Sequence, residues 1–300
     1  MLIFTQEGDF SKDLRFTEWD IGFVGSALDD RGEGAIDFLR DNCEKLIEVN
    51  YDPVEMELAI GEKSYIVDDL DTYFETIGNK RVVIESTTLN FSEILLLLSG
   101  IKSVVGHATL LYIEPKSYER KRTVTFVEKR QFELSGETPV YKPIPGFAGL
   151  LNEDIVQKVV FMTGYESERI DRAFEENSIV PQNSSLLFGV PAFKAGWEMN
   201  AFANNVRAIK DLSIEGEIYF AGANNTCAVY DVIDTVYNSL DETEELYLAP
   251  VGTKPAGIAT AIFAIGHPDV SILYDHPVKK EKRTSEIAKW HLLDITLDHE

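Results

Sequence analysis

Short apolar runs alternate along the chain with segments whose apolar positions recur at helical spacing. The run at 20–28, "DIGFVGSAL", is followed at 29–43 by "DDRGEGAIDFLRDNC". In that second segment one helix face would carry Ala35, Ile36, Leu39 and Cys43. Strands that alternate with helices are typical of βα units around a parallel sheet. We therefore predict an α/β fold with two Rossmann-like halves whose sheets are mainly parallel.

The same alternation predicts most of the remaining elements. In the first half, strands are predicted at 45–51, 80–86 and 108–115, a hairpin at 56–67, and helices at 68–78 and 87–103. In the second half, strands are predicted at 158–165, 185–193, 217–223, 246–252, 270–277 and 290–297, with helices at 166–177, 196–212, 224–240 and 253–265.

The pattern changes between the two halves. Residues 116–137 are strongly charged, and "TPVYKPIPGFAGLL" at 138–151 is rich in proline and glycine. Such a stretch is typical of a hairpin followed by an irregular connection. We predict an N-terminal Rossmann-like domain at 1–118, a hairpin and connection at 119–150, and a C-terminal Rossmann-like domain at 151–300.

Composition narrows the classes of partner. The chain has 51 acidic and 28 basic residues, a formal charge of −23, which repels a polyphosphate backbone. No apolar run is long enough to span a bilayer, no secretory signal is recognised at the start, and Cys43 and Cys227 form no zinc motif. We predict a cytoplasmic protein that binds neither bulk nucleic acid nor a membrane and holds no metal.

The segment "LYLAPVGTKPAGIATAIFAI" at 246–265 carries the main candidate site. Because Pro255 suits the first turn of a helix, Gly252, Thr253 and Lys254 would lie at its N-terminus. Free backbone N–H groups, the helix dipole and an ammonium group would there attract a phosphate or carboxylate, which the glycine would allow to approach. The alternative is that Thr253 only caps the helix and Lys254 is solvated.

This segment resembles the Rossmann-like sensor domains of CRISPR-associated regulators, the CARF group, through the Gly252-Thr253-Lys254 turn and the small-residue helix after it. The resemblance covers about twenty residues. It implies that the turn helps to bind a cyclic oligoadenylate and that the protein acts as a sensor in prokaryotic antiviral defence.

Other polar residues follow predicted strands and join the candidate ligand-binding set, because ligands of open α/β sheets bind beyond the carboxyl ends of the strands. Capping or an intrahelical ion pair is the alternative for each. These residues are Thr87, Thr88, Glu166, Arg169, Asn224 and Asn225.

Four acidic or basic side chains are the catalytic candidates. Asp275 and His276 could form a general base and its orienting partner, although a surface contact is the alternative. Asp29 and Asp30 could act as acid–base groups or bind a metal or an amine, although an N-cap is the alternative for an Asp there. The glycines match neither the phosphate-binding loop of nucleoside triphosphatases nor the dinucleotide fingerprint, so no cofactor is predicted.

Three classes of function remain open. The first is a sensor or accessory protein that binds a nucleotide or another phosphorylated small molecule. The second is an enzyme that acts on a nucleotide-like substrate. The third is a structural subunit whose acidic surface docks a partner protein or a second copy of the chain.

Overall fold

The computed structural model describes residues 2–118, 134–136, 141–149, 155–177, 179–211, 213–214, 216–281 and 284–297. The chain divides into two compact units. Unit 1 comprises Met1–Tyr118 and Glu281–Glu300, and unit 2 comprises Glu119–Lys280. Both are α/β, as predicted. No helix in the described part of the chain is long and apolar enough to cross a membrane.

Unit 1 combines eight strands with three α-helices in its described residues. The strands are β1 (Leu2–Gly8), β2 (Trp19–Val24), β3 (Cys43–Asp52), β4 (Glu57–Ile60), β5 (Lys63–Ile66), β6 (Val82–Glu85), β7 (His107–Tyr118) and β13 (Thr284–Thr296). The helices are α1 (Asp30–Asn42), α2 (Leu70–Glu75) and α3 (Phe91–Val104).

The strand order in unit 1 is β1-β13-β7-β6-β2-β3-β4-β5. The four central strands, β7, β6, β2 and β3, run parallel, and the pairs outside them are antiparallel. The expectation of a mainly parallel sheet therefore holds only for this centre. The hairpin at one edge and the returning chain at the other are antiparallel because short connections join antiparallel strands, whereas parallel strands need a crossover.

The last strand belongs to this first sheet. The sequence division placed residues 151–300 in the second half, but β13 pairs with β7, with Trp290 opposite Ile113, and with β1. Trp290 and Leu292 are buried in the core of unit 1, so the first sheet needs this strand to cover its apolar residues. β1 was not expected from the apolar pattern, and its Leu2 and Phe4 are exposed.

Unit 2 is built around a five-stranded sheet in which every pair is parallel. Its strands are β8 (Val156–Met162), β9 (Ser184–Gly189), β10 (Ile218–Ala221), β11 (Glu244–Ala249) and β12 (Ser271–Ile272). Its helices are α4 (Glu168–Glu176), α5 (Glu198–Asp211), α6 (Thr226–Tyr237) and α7 (Lys254–Gly266).

The strand order in unit 2 is β10-β9-β8-β11-β12, so it reverses between β8 and β11. Right-handed crossovers place α4 and α5 on one face and α6 and α7 on the other. Ten of the thirteen residues of α7 are buried, which explains why its sequence is almost wholly small or apolar. In such a Rossmann-like sheet, ligands bind beyond the carboxyl ends of the strands at the reversal.

Only part of the predicted hairpin and connection can be compared with the structure. Residues 119–133, 137–140 and 150 lie outside the described residues. Of the remainder, Ser135 forms an antiparallel bridge with Lys279. Residues 141–149 run beside the end of β12, where Lys142 N donates to Tyr274 O and Ile272 N donates to Phe147 O. This segment covers part of the sheet without forming a helix.

Candidate functional site

The loops that follow β8 and β11 pack backbone against backbone at the strand reversal. A methyl group built on Gly252 would lie 2.6 Å from Thr163 O, and one built on Gly164 would lie 2.9 Å from Val251 O. Both distances are too short for any side chain. Chain packing therefore requires glycine at 252, independently of the phosphate approach expected from the sequence.

Thr253 joins the starts of two helices. It is the N-cap of α7, and its Oγ1 accepts from Ala256 N at 3.4 Å and donates to Ala223 O at 3.0 Å. Pro255 lies in the first helical turn, as predicted, and Lys254 is half-buried at the first helical position. The hydrogen bond to Ala223 places the loop before α6 beside the N-terminus of α7.

The loop before α6 carries both predicted asparagines. Asn225 is exposed and caps α6, because its side chain accepts from Ala228 N at 3.0 Å. Asn224 precedes it and is half-buried. The structure therefore brings Asn224, Asn225, Thr253 and Lys254 to one edge of unit 2.

Arg169 and Asp275 form a buried ion pair at the strand ends of unit 2. Arg169 Nε donates to Asp275 Oδ2 at 2.7 Å, Nη2 donates to Oδ1, and Nη1 donates to Val251 O at 3.0 Å. Asp275 is 0% exposed. Burial by itself would lower the pKa of Arg169, but the charge and hydrogen bonds of Asp275 outweigh it and raise that pKa. Asp275 thus holds an arginine, and both of its oxygens are occupied.

Glu166 and His276 have partners other than those the sequence suggested. Glu166 accepts from the backbone N–H groups of Leu134 and Ser135 at 3.0 and 2.9 Å and from the Ser135 hydroxyl. His276 Nε2 lies 3.0 Å from Lys142 O. Burial lowers the pKa of His276. Both side chains fasten neighbouring chain segments of unit 2.

Thr87 and Thr88 are buried and hydrogen-bond to neighbouring strands of unit 1. Glu85 accepts from the backbone N–H groups of both residues at 2.7 Å. Thr88 Oγ1 accepts from Gly25 N at 2.8 Å, and Thr87 Oγ1 accepts from Ile113 N at 3.0 Å. The two threonines therefore tie β6 to its neighbouring strands β2 and β7, which accounts for their polarity without a ligand.

Asp29 is the N-cap of α1, and Asp30 is exposed on the first turn. Asp29 accepts from Gly32 N at 3.1 Å and from Arg31 Nη2 at 3.0 Å, and the Thr284 hydroxyl donates to it. Burial by itself would raise the pKa of Asp29, but the charge of Arg31 and these hydrogen bonds lower it overall. Within the described ranges, no group of three or more His, Cys, Asp or Glu side chains could hold a metal ion.

Sequence reasoning missed the role that two arginines share. Arg31 and Arg169 each follow a helix N-cap by two residues, in the first helix after a central strand. Each is buried and donates Nη1 to a backbone carbonyl of another strand or of the loop after it: Arg31 to Ile113 O within β7 at 2.9 Å, and Arg169 to Val251 O after β11 at 3.0 Å. The sequence signal for this shared role was the position of each arginine, two residues after an N-cap that follows a strand.

Comparison with known proteins adds little to this geometry. No family model matches the chain, and no curated protein matches it. A solved structure described as a ketoreductase domain from the bacillaene assembly line shares 11% identity, with a TM-score of 0.19, over 82% of this chain and 61% of that one. The chain thus spans less than two thirds of that structure's length. A likeness this low assigns no activity; the geometry itself establishes a Rossmann-like α/β fold.

Proposed function

We propose that unit 2 binds a nucleotide or another phosphorylated small molecule where α6 and α7 begin. The observation that carries this proposal is the 3.0 Å hydrogen bond from Thr253 Oγ1 to Ala223 O. It places two helix N-termini side by side at the carboxyl edge of the sheet, where the positive ends of both helix dipoles reinforce one another.

The donors in this region complement one another. At α7, Pro255 has no N–H and Thr253 already accepts from Ala256 N, so this helix contributes mainly the charge of Lys254. At α6, the N–H groups of Thr226 and Cys227 have no acceptor among the described residues. A phosphate between the two helix starts would receive backbone hydrogen bonds from one and an ammonium charge from the other.

A sensor role is part of this proposal. The resemblance of residues 246–265 to the sensor domains of CRISPR-associated regulators supports a cyclic oligoadenylate as the first ligand to test. Binding is favoured over acid–base catalysis because Asp275 and Asp29, two of the four catalytic candidates, are engaged by Arg169 and Arg31.

Isothermal titration calorimetry with mononucleotides, dinucleotides and cyclic oligoadenylates tests the proposal. Loss of a charged contact costs about 1.5–3 kcal/mol, so Lys254→Ala should weaken binding by roughly tenfold to a hundredfold. Lys158→Ala is the matched control, because Lys158 pairs with Glu244 near the amino ends of β8 and β11. Equal affinity in wild type and Lys254→Ala, or no binding of any panel member, would refute the proposal. Chromatography of the incubated nucleotides would reveal turnover.

A further inference from the structure

Unit 2 contains a cavity of about 250 Å³ that shares no lining residue with the proposed nucleotide site. Its walls come from residues 141–149, from the end of α4 and from the face of β8, β11 and β12 that carries Tyr247. Tyr141, Tyr247 and Tyr274 all line it. A cavity with three aromatic side chains favours a flat, largely apolar ligand.

Hydrogen bonds hold the walls in place. Tyr141 Oη donates to Arg169 O at 2.8 Å, and Tyr141 N donates to Glu176 Oε2 at 2.8 Å. The backbone bonds of residues 141–149 to Ile272 and Tyr274 fix the opposite side. The cavity is therefore preformed, which reduces the ordering cost of binding.

The hydroxyl of Tyr247, a residue of the lining, lacks a well-formed hydrogen bond. Tyr247 is 4% exposed, and its Oη is buried with no hydrogen-bond partner of normal geometry among the described residues. The Ser271 hydroxyl lies close by, and both oxygens pack against Gly149. A buried hydroxyl without a well-formed hydrogen bond is unfavourable, and a polar group of a ligand would supply that bond.

The charges of the lining favour an anion. Lys142 is half-buried and has no carboxylate partner within the described part of the chain. Glu176 is the acidic residue of the lining, but its oxygens accept from Tyr141 N and from the Arg172 guanidinium. The ammonium group of Lys142 is therefore the charged group of the lining that could pair with an anionic ligand.

From these features we infer that the cavity binds a small aromatic carboxylate with a single ring and a polar substituent. The ring packs among the tyrosines, the carboxylate pairs with Lys142, and the substituent exchanges a hydrogen bond with Tyr247. The volume fits this size: a cavity of about 150 Å³ holds benzene, and drug-sized ligands occupy roughly 300–1,000 Å³.

Calorimetry and ligand-observed NMR with 4-hydroxybenzoate and benzoate test this inference. Wild type should bind 4-hydroxybenzoate about fivefold to tenfold more tightly than benzoate, which corresponds to one neutral hydrogen bond. Tyr247→Phe should remove that difference. Lys142→Gln should weaken both acids about tenfold and leave benzyl alcohol unaffected.

Tyr237→Phe is the control, because that hydroxyl donates to Asp269 and does not line the cavity. Thermal unfolding separates a ligand contact from a structural one. If the Tyr247 hydroxyl has no internal partner, Tyr247→Phe should leave the Tm unchanged or raise it. The inference would be overturned by a lower Tm in that variant or by equal affinities of wild type and Tyr247→Phe for 4-hydroxybenzoate. It would also be overturned if neither acid bound with a Kd below about 10 mM.

Discussion

Arg169 and Asp275 connect the first turn of α4 to the chain just after β12 through two hydrogen bonds of one buried ion pair. Arg169 makes a third contact, from Nη1 to Val251 O at 3.0 Å, which connects the chain after β11 to the same guanidinium group. Three strand-end segments therefore depend on one guanidinium. In unit 1, Arg31 makes the corresponding link to Ile113 O at 2.9 Å.

The Arg169–Asp275 pair should be essential for the stability of unit 2. Because removal of one partner leaves a buried charge uncompensated, Arg169→Met and Asp275→Asn should each lower the free energy of unfolding by about 3–5 kcal/mol. Chemical denaturation followed by circular dichroism measures this. Arg40→Ala is the control, since the Arg40–Asp37 pair is exposed and should contribute less than about 1 kcal/mol. Equal losses in the buried and exposed pairs would contradict the prediction.

Glycine at 252 should be required for folding. Gly252→Ala places a methyl group 2.6 Å from Thr163 O, a backbone atom that cannot move aside cheaply, so we expect a loss of at least about 2 kcal/mol. Gly266→Ala is the matched control, because a methyl group there meets nothing within 4 Å at the end of α7. Differential scanning calorimetry should show a large fall in Tm for the first variant and little change or a rise for the second. A Gly252→Ala protein as stable as wild type would show that the two loops are not tightly packed.

The Thr253 hydroxyl should matter for both stability and binding. Thr253→Val keeps the shape but removes the cap of α7 and the bond to Ala223 O, which should cost about 1–2 kcal/mol in unfolding free energy. Thr253→Ser keeps the hydroxyl and should retain most of the stability. Urea denaturation of the two variants provides the comparison. If the Val variant is as stable as the Ser variant, the hydroxyl does not join the two helix starts.

His276 should make unit 2 less stable in mild acid. Burial lowers its pKa below the ordinary value of 6.5, so the unfolded chain binds a proton more readily than the folded chain. Stability should therefore fall as the pH decreases below 6.5 and level off below the folded pKa. His276→Asn suits the left-handed backbone at φ 45° and should flatten this dependence. Urea denaturation midpoints measured between pH 7.5 and about pH 5 test this pH dependence. If the midpoint of the His276→Asn variant falls with pH as steeply as that of wild type, the prediction is refuted.

Asp29 should stabilise unit 1 down to strongly acidic pH. Its pKa is lowered from 3.8, so its contribution is fully present above 3.8 and is lost as the pH falls through the folded pKa. Asp29→Asn should destabilise the protein at pH 7, and the difference from wild type should shrink below the folded pKa. Denaturation curves at pH 7 and about pH 2.5 measure the two differences. A difference that persists undiminished at the lower pH would mean that ionisation of Asp29 is not its cause.

The local elements were largely predictable because they depend on short-range patterns. Apolar spacing predicted α1 and α3, the hairpin of β4 and β5, and all five strands of unit 2, and Pro255 indicated where α7 begins. Each of these depends on neighbours within a few residues. β1 was missed because its apolar residues Leu2 and Phe4 are exposed. Its hydrophobic pattern therefore does not indicate a buried face.

The site was less predictable because polar residues at strand ends have several possible partners. The sequence placed Thr87, Thr88, Asp29, Asp275 and Arg169 at strand ends, but their partners are far apart in sequence, and Arg169 and Asp275 are separated by 106 positions. Only the folded chain shows that these side chains hold strand ends together. Thr253 and Lys254 remain beside Asn224 and Asn225, so that part of the binding-site prediction still awaits a ligand experiment.

Apolar periodicity was sufficient to predict the α/β class and the order of most elements, because burial of an apolar face imposes a period on the chain. Tertiary structure alone decided that β13 returns to the first sheet, that Gly252 meets Thr163, and that Tyr247 faces a cavity. These features arise from contacts between segments distant in the chain. Such contacts leave no periodic trace in the sequence, because each depends on shape and hydrogen bonding between particular partners rather than on a repeated pattern.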